Sequence, residues 1–525
     1  MSNNLINAPV ESPLNAIYGE NPLLHPLGAR IPFEDIPLKL TNRPLDGYNP
    51  RGLDATGREE LLFLYEQNFV PTPFAIGIAA AIQNLHRRHY WQRHPRNPAV
   101  IRDRNKIAQF TSSRNFNPKL VPWLDTNASG MIIKGITGTG KTAIVNRYSR
   151  LLRDQVYVHS NGEIPGFDYI RQIAWLKVDM SSDGSRDGFL TSILLEVDKL
   201  IDTDYARQYA GRYSVDKLAI VVGVILSTRL CGLLIIEEIQ EKNFNNSMWR
   251  NELTTFFLRI LNFGIPTVLI GNPLGFAELE KSSQNTRRLS SGGVYEMLPS
   301  FDGTDTAFTN LVEQTLTFNV MEAQNPEARE HFRNIAYAYS GGITDFVVRL
   351  NMESQLTALH CGQREVSPKH INAAFMNARL APNHTLIGAL VNRNLNMLRQ
   401  CTDVPISRFA EIWGDDQQKN NRKLDTKTSE LEQKPSEVDA QRRSEKMKQK
   451  DATGADADQT KQLAPQITGH PLAKQFKAKQ THTVNQRKKA EAQKKLLEPN
   501  DIRTDGAGTS LVAGLKDLLN RKKET

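Results

Sequence analysis

The chain has few cysteines and no long apolar run, and both scarcities narrow what it can be. Three cysteines are spread over 525 residues: Cys231, Cys361 and Cys401. They lie too far apart for a disulfide framework or for zinc-ligand spacing, so a reducing compartment is expected. No apolar stretch approaches the roughly 20 residues that a bilayer requires, and no membrane span is expected. The start, Met1-Ser-Asn-Asn-Leu5, lacks a basic segment followed by an apolar one. A secretory leader is therefore not expected and a cytoplasmic location is. Aromatic residues make up only 7% of the chain. Against this stand an apolar share of 39% and a net charge of +9. The first suffices for one or two cores with appendages, and the second permits contact with nucleic acid.

The most informative stretch is Met131-Ile-Ile-Lys-Gly-Ile-Thr-Gly-Thr-Gly-Lys-Thr142. A strand-like run leads into Gly135, four residues, Gly140, Lys141 and Thr142, and a helix-like segment, 143–152, follows. This is the phosphate-binding loop pattern. Glycines Gly135, Gly138 and Gly140, with Thr139, let successive N–H groups turn inward around an anion, and the next helix adds its positive end. Lys141 is placed to reach the outer phosphates of ATP, and the Thr142 hydroxyl to ligate Mg²⁺. Downstream, Leu233-Leu-Ile-Ile-Glu-Glu-Ile-Gln240 reads as a buried parallel strand closing in two carboxylates. Glu237 is placed to hold hydrated Mg²⁺ and Glu238 to orient and deprotonate the attacking water. Glu237 stands where Asp is usual, one methylene longer.

A third strand, Pro266–Asn272, carries Asn272 at its end, within reach of a γ-phosphate or the water. Arg287 and Arg288 follow in Asn285-Thr-Arg-Arg288. A guanidinium there suits a finger entering a neighbouring subunit's site, and Arg288 is preferred over Arg287. Lys177, Arg186 and Lys242 fall near strand ends or in following loops, where a ring or filament would turn them toward an axial duplex. The helix-like stretch 75–89 runs into Arg87-Arg-His-Tyr-Trp-Gln-Arg93, a basic and aromatic patch that could grip phosphates or a protein. His86, His89 and His94 are expected to be solvated.

These readings divide the chain into five parts. Residues 1–125 form an irregular, proline-rich N-terminal extension; 126–300 an α/β core of mostly parallel sheet; 301–405 a helical lid; 406–509 a disordered basic linker; 510–525 an amphipathic helix. Most of the positive excess lies beyond Trp413, and Lys474–Lys495 is the most basic section. Ser510 precedes Leu511, Leu515, Leu518 and Leu519, which share one helical face suited to a partner's groove. The lid shows no arginine at the start of the 345–360 helix; Arg349 comes a turn later.

Together these motifs resemble the TnsC-type AAA+ ATPases (TnsC/TniB/MuB-like) of transposons that also encode a TniQ or TnsD-type target selector. The likeness rests on Gly135–Thr142, on Leu233–Gln240 beside the family's Leu-Leu-Val-Ile-Asp-Glu-Ile-Gln, and on Val268-Leu-Ile-Gly-Asn-Pro273. It extends to Thr286-Arg-Arg288 and Ser340-Gly-Gly-Ile-Thr-Asp-Phe-Val-Val348. The resemblance implies an AAA+ P-loop NTPase core and an ATPase that oligomerises with ATP and Mg²⁺ on double-stranded target DNA. It implies that Asn272 is sensor one and that Arg287 or Arg288 acts in trans. It further implies that the N-terminal extension meets the TniQ/TnsD-type selector, and that the terminal helix meets the transposase TnsB or the TnsA-type endonuclease. Two rivals share the motifs: another DNA-associated AAA+ machine such as a helicase loader, and a nucleotide switch that does not hydrolyse.

Overall fold

The computed structural model describes residues 14–124, 128–182, 184–245, 247–248, 250–401 and 403–414. All lie in the first of two compact units, Met1–Ser429. The second unit, which holds the expected terminal helix with Leu511, Leu515, Leu518 and Leu519, lies outside the described residues.

Among the described residues seven strands form: β1 (Gly130–Gly135), β2 (Val156–Ser160), β3 (Tyr169–Ile173), β4 (Leu176–Asp179), β5 (Leu234–Ile239), β6 (Thr267–Gly271) and β7 (Val294–Met297). Five make one sheet in the order β4-β5-β6-β1-β7, all parallel; β2 and β3 pair apart as an antiparallel hairpin. The continuous apolar runs of β1, β5 and β6 follow from this arrangement, since a parallel sheet is covered on both faces. Residues alternate between the faces. Ile132, Ile236 and Leu269 join a core with the helices Arg186–Ile201, Val215–Thr228 and Arg250–Asn262. Met131, Ile133, Ile235 and Ile270 join another with the helices Pro73–Gln92 and Lys141–Ser149. By this alternation Glu237 falls on the second face, beneath the helix that follows Gly140. With β6 between β1 and β5, the ends of three strands converge on one edge, where open α/β sheets bind ligands.

The N-terminal extension is more structured than its prolines suggest. Thr72 caps the Pro73–Gln92 helix, accepting from Ala75 N at 3.2 Å, and Ile78 and Ile82 are fully buried against the sheet. Of the basic and aromatic patch expected at 87–93, Arg88 and Gln92 are exposed, whereas Arg87, Tyr90 and Arg93 turn inward. Arg87 donates to Gly28 O, Tyr90 Oη to Leu230 O and Arg93 to Cys231 O, so these three side chains pack inward over the sheet. The histidines are likewise buried, not solvated. His86 Nε2 pairs with Ala174 O at 2.8 Å, and His89 Nε2 accepts from Ser129 N at 3.1 Å.

Burial pushes both imidazoles from the ordinary 6.5 down to about 3. Between those values the unfolded chain binds protons that the folded chain refuses, so stability must fall as pH drops through that window. The melting temperature is expected to fall from pH 7 to pH 5. His86→Gln, which keeps a donor for Ala174 O, should flatten that slope in thermal scans.

The lid is built from the helices Thr306–Thr317, Pro326–Ser340, Thr344–His360, Pro368–Met376 and His384–Val391. Phe308, Phe332, Val347 and Leu350 fill its core. That core extends past residue 405: 406–414 is helical, and Phe409 and Trp413 are buried among the lid's apolar side chains.

Candidate nucleotide site

β1 ends at Gly135, and the chain then turns through Ile136–Gly140 before the Lys141–Ser149 helix. Gly138 and Gly140 hold φ of +84° and +91°, a region that side chains disfavour. Gly138 also lets the lid approach: a Cβ there would lie 2.8 Å from Ile343 Cγ2. Asp345 N donates to Gly138 O at 3.0 Å, which ties the start of the Thr344–His360 helix to the loop. Thr139 is buried with its hydroxyl on Ile136 O, and Thr142 is exposed on the helix's first turn. Lys141 Nζ donates to Gly135 O at 2.7 Å and Ile136 O at 2.9 Å. Burial pulls its pKa down to about 8, against the upward pull of Glu238, Asp403 and Glu237.

Glu237 is 4% exposed. Its Oε2 takes the Lys177 ammonium at 3.3 Å, while Oε1 is buried without a partner. Burial raises its pKa, opposed by Lys177 and reinforced by Asp179 and Glu238. An orphaned carboxylate oxygen costs free energy unless a donor or cation meets it. An orphaned carboxylate oxygen here, with the Thr142 hydroxyl of the phosphate loop as a second oxygen donor, fits a hydrated divalent cation. Glu238 has a left-handed φ of +58°, unusual for a side-chain-bearing residue. The pairing of β5 with β6 shifts register between Ile236 and Ile239, and such a bulge re-aims a side chain. Glu238 is thereby exposed at the sheet edge, its Oε2 accepting from Gln240 Nε2 at 2.7 Å and its carbonyl from Asn243 Nδ2 at 2.8 Å.

Lys177 lies within β4, and its ammonium also donates to Asn146 Oδ1 at 2.9 Å. Expected near a strand end and turned with Arg186 and Lys242 toward a duplex, it does lie in the four-residue β4, where its ammonium meets the Glu237 carboxylate. Arg186 opens the Arg186–Ile201 helix and reaches Asp216 Oδ1 at 3.4 Å. Lys242 is exposed in a π-helical turn, Glu241–Asn245, just after the glutamates. On the Ser283–Leu289 helix, Arg288 is half-buried and donates to Asn262 Oδ1, whereas Arg287 is exposed.

Asn272 caps the Pro273–Lys281 helix, accepting from Leu274 N at 3.0 Å, and its Nδ2 donates to Asp403 O. Asp403 Oδ2 in turn accepts from Thr137 Oγ1 at 3.1 Å. A segment from the far end of the lid thus places a carboxylate over the phosphate loop. No sequence signal marked Asp403. A γ-phosphate held by this loop would be repelled by the carboxylate above it. Asp403→Asn should therefore tighten ATP binding by roughly three- to tenfold, read by titration with a fluorescent nucleotide; weaker binding would refute that role. A cavity of about 780 Å³, also missed from the sequence, opens beside Gly140. Phe69, Val70, Leu298, Phe301 and Phe308 line it, an apolar wall of the size a base and sugar need.

A family profile described as "AAA domain" matches residues 124–279. No curated protein matches the chain. Among solved structures, Cdc6p from Pyrobaculum aerophilum is similar at 12% identity and a TM-score of 0.34, over 53% of this chain and 66% of that one. The Aeropyrum pernix ORC1 protein in complex with DNA is similar at 17% identity and 0.35, over 59% and 81%. Domain III of the Thermotoga maritima replication initiation protein DnaA is similar at 11% identity and 0.29, over 53% and 91%. The chain thus spans a little under two-thirds of the Cdc6p chain.

The parallel sheet, the phosphate loop and the profile together define an AAA+ P-loop NTPase fold. Within it, the matched AAA domain covers β1, β5 and β6, the strands that carry the phosphate loop, the glutamate pair and Asn272. Among the described residues no helix is long and apolar enough to cross a membrane.

Proposed function

We propose that this protein is an ATP-dependent regulator of DNA transposition of the TnsC type. In this reading it assembles on target duplex, receives a TniQ/TnsD-type selector, recruits the transposase and its endonuclease partner, and disassembles on hydrolysis. The observation that carries the ATPase part is the convergence of Lys141, the orphaned Glu237 oxygen and the re-aimed Glu238 on one sheet edge. The transposition part rests on the sequence resemblance.

The residues divide the work as follows. The Gly135–Thr142 loop and Lys141 bind the phosphates, and Thr142 with Glu237 would hold Mg²⁺, which when bound neutralises phosphate charge. Lys177 keeps Glu237 in place and compensates its buried charge. Glu238, exposed at the edge, orients a water and accepts its proton. Asn272 holds the end of β6 against the lid segment. Arg287 reaches the neighbouring subunit, since Arg288 is committed to Asn262. Exposed Lys242, with the half-buried Arg186 beside Asp216, meets the duplex, where repetition along an oligomer multiplies weak phosphate contacts.

Subunit mixing tests the trans assignment. Arg287→Ala should lower ATPase activity in mixed assemblies while leaving each subunit's nucleotide affinity intact. Loss of activity in Arg288→Ala alone, with Arg287→Ala active, would reverse it.

A further inference from the structure

The opposite end of the sheet carries a second cavity, of about 880 Å³, whose walls include Phe116, Phe167, Tyr209 and Tyr213. It lies by Leu230, ahead of β5, whereas the nucleotide site lies at that strand's far end. Arg93 lines it and is only 9% exposed. Its guanidinium gives one bond, to Cys231 O at 2.7 Å, and lies 5.3 Å from the centre of the Tyr90 ring. Its Nε is buried without a partner, and among the described residues no carboxylate pairs with it. Arg104, half-buried in the wall, bonds Pro165 O and lies 5.2 Å from the Phe167 ring centre. Arg114 and Arg212 stand exposed at the margin. Among the described residues lining the cavity one is acidic, Asp103, and it already takes the Lys106 ammonium at 3.1 Å.

A buried charge is costly unless an opposite charge meets it. Here four arginines share a pocket in which, among the described residues, the sole carboxylate is engaged, and its walls are aromatic and aliphatic. A guanidinium fork matches a carboxylate's two oxygens. The phosphates of a duplex, by contrast, are met by cations on open surface, and Arg93 is buried.

We propose that this cavity is a docking site for an acidic side chain, with an apolar or aromatic neighbour, on an extended segment of a protein partner. The carboxylate pairs with Arg93 and Arg104, and the neighbouring side chain packs between Phe116 and the tyrosines. The site is separate from the nucleotide site, and the proposal does not depend on the function proposed above.

The test is selection of a displayed hexapeptide library on the full chain, followed by anisotropy titration of the most enriched peptide carrying fluorescein. The expected result is enrichment of Asp or Glu beside Phe, Tyr, Trp or Leu. The chosen peptide should bind at least about tenfold more weakly when its acids become amides, or to Arg104→Ala. Arg93→Gln, checked for folding by circular dichroism, should weaken it further, while ATP affinity stays unchanged in both variants. Failure to enrich acidic peptides would overturn the proposal. So would equal binding to Arg104→Ala, or displacement of the peptide by inorganic phosphate or by a short duplex at comparable concentration.

Discussion

Glu238→Gln should bind ATP as the wild type does and hydrolyse it at least about a hundredfold more slowly, a loss of roughly 3 kcal/mol of transition-state stabilisation. The reasoning is geometric before it is chemical. Glu237 cannot serve as the base, because its Oε2 is held by Lys177 and its side chain is buried. Glu238 is the exposed carboxylate of the pair, held at a left-handed φ that the chain would not adopt without a reason. Glutamine keeps the shape and the hydrogen-bonding reach, so the bulge and the Gln240 contact survive, and only proton acceptance is lost. The variant should therefore form assemblies that persist. Single-turnover phosphate release measures the first effect and lifetime on DNA the second. Wild-type turnover would remove Glu238 from its assigned role and favour a switch that works through binding alone.

The second large effect is expected at Lys141. Its ammonium, partly desolvated and bonded to Gly135 O and Ile136 O, lies at the start of the helix beside the phosphate loop. Charge-assisted contacts of this kind contribute about 1.5–3 kcal/mol each. Lys141→Ala should then weaken ATP binding by roughly 10- to 100-fold and abolish nucleotide-dependent assembly on DNA. The fold itself should stay intact, because the lysine's bonds in the free protein are to its own loop. Unchanged assembly by this variant would separate DNA binding from the nucleotide altogether.

The parts of the molecule that were legible from the sequence are those in which function and fold use neighbouring residues. The phosphate loop is one continuous dozen residues, and β5 and β6 are apolar runs ended by the residues that matter, Glu238 and Asn272. Periodicity also located a lid helix to within a residue at its start: the expected 345–360 became Thr344–His360. The failures share a cause. Arg87, Tyr90 and Arg93 looked like a surface patch because they are polar and adjacent, but their partners are carbonyls far along the chain, with Arg93 and Cys231 separated by 138 positions. Asp403 was invisible for the same reason, since its link to Asn272 spans 131 positions. The contact of Lys177 with Glu237 was not legible, because the register of β4 against β5, which pairs Asp179 with Glu237, decides which side chains share a face. A local pattern carries no record of such pairings.

The central claim is that ATP bound at the Lys141 loop is what holds copies of this protein together on duplex DNA. Sedimentation velocity of the full chain with a short duplex, with and without a non-hydrolysable ATP analogue, tests it directly. The account predicts a large nucleotide-dependent complex that dissolves when the analogue is removed. Complexes of the same size without nucleotide, or no association with duplex in either condition, would contradict it.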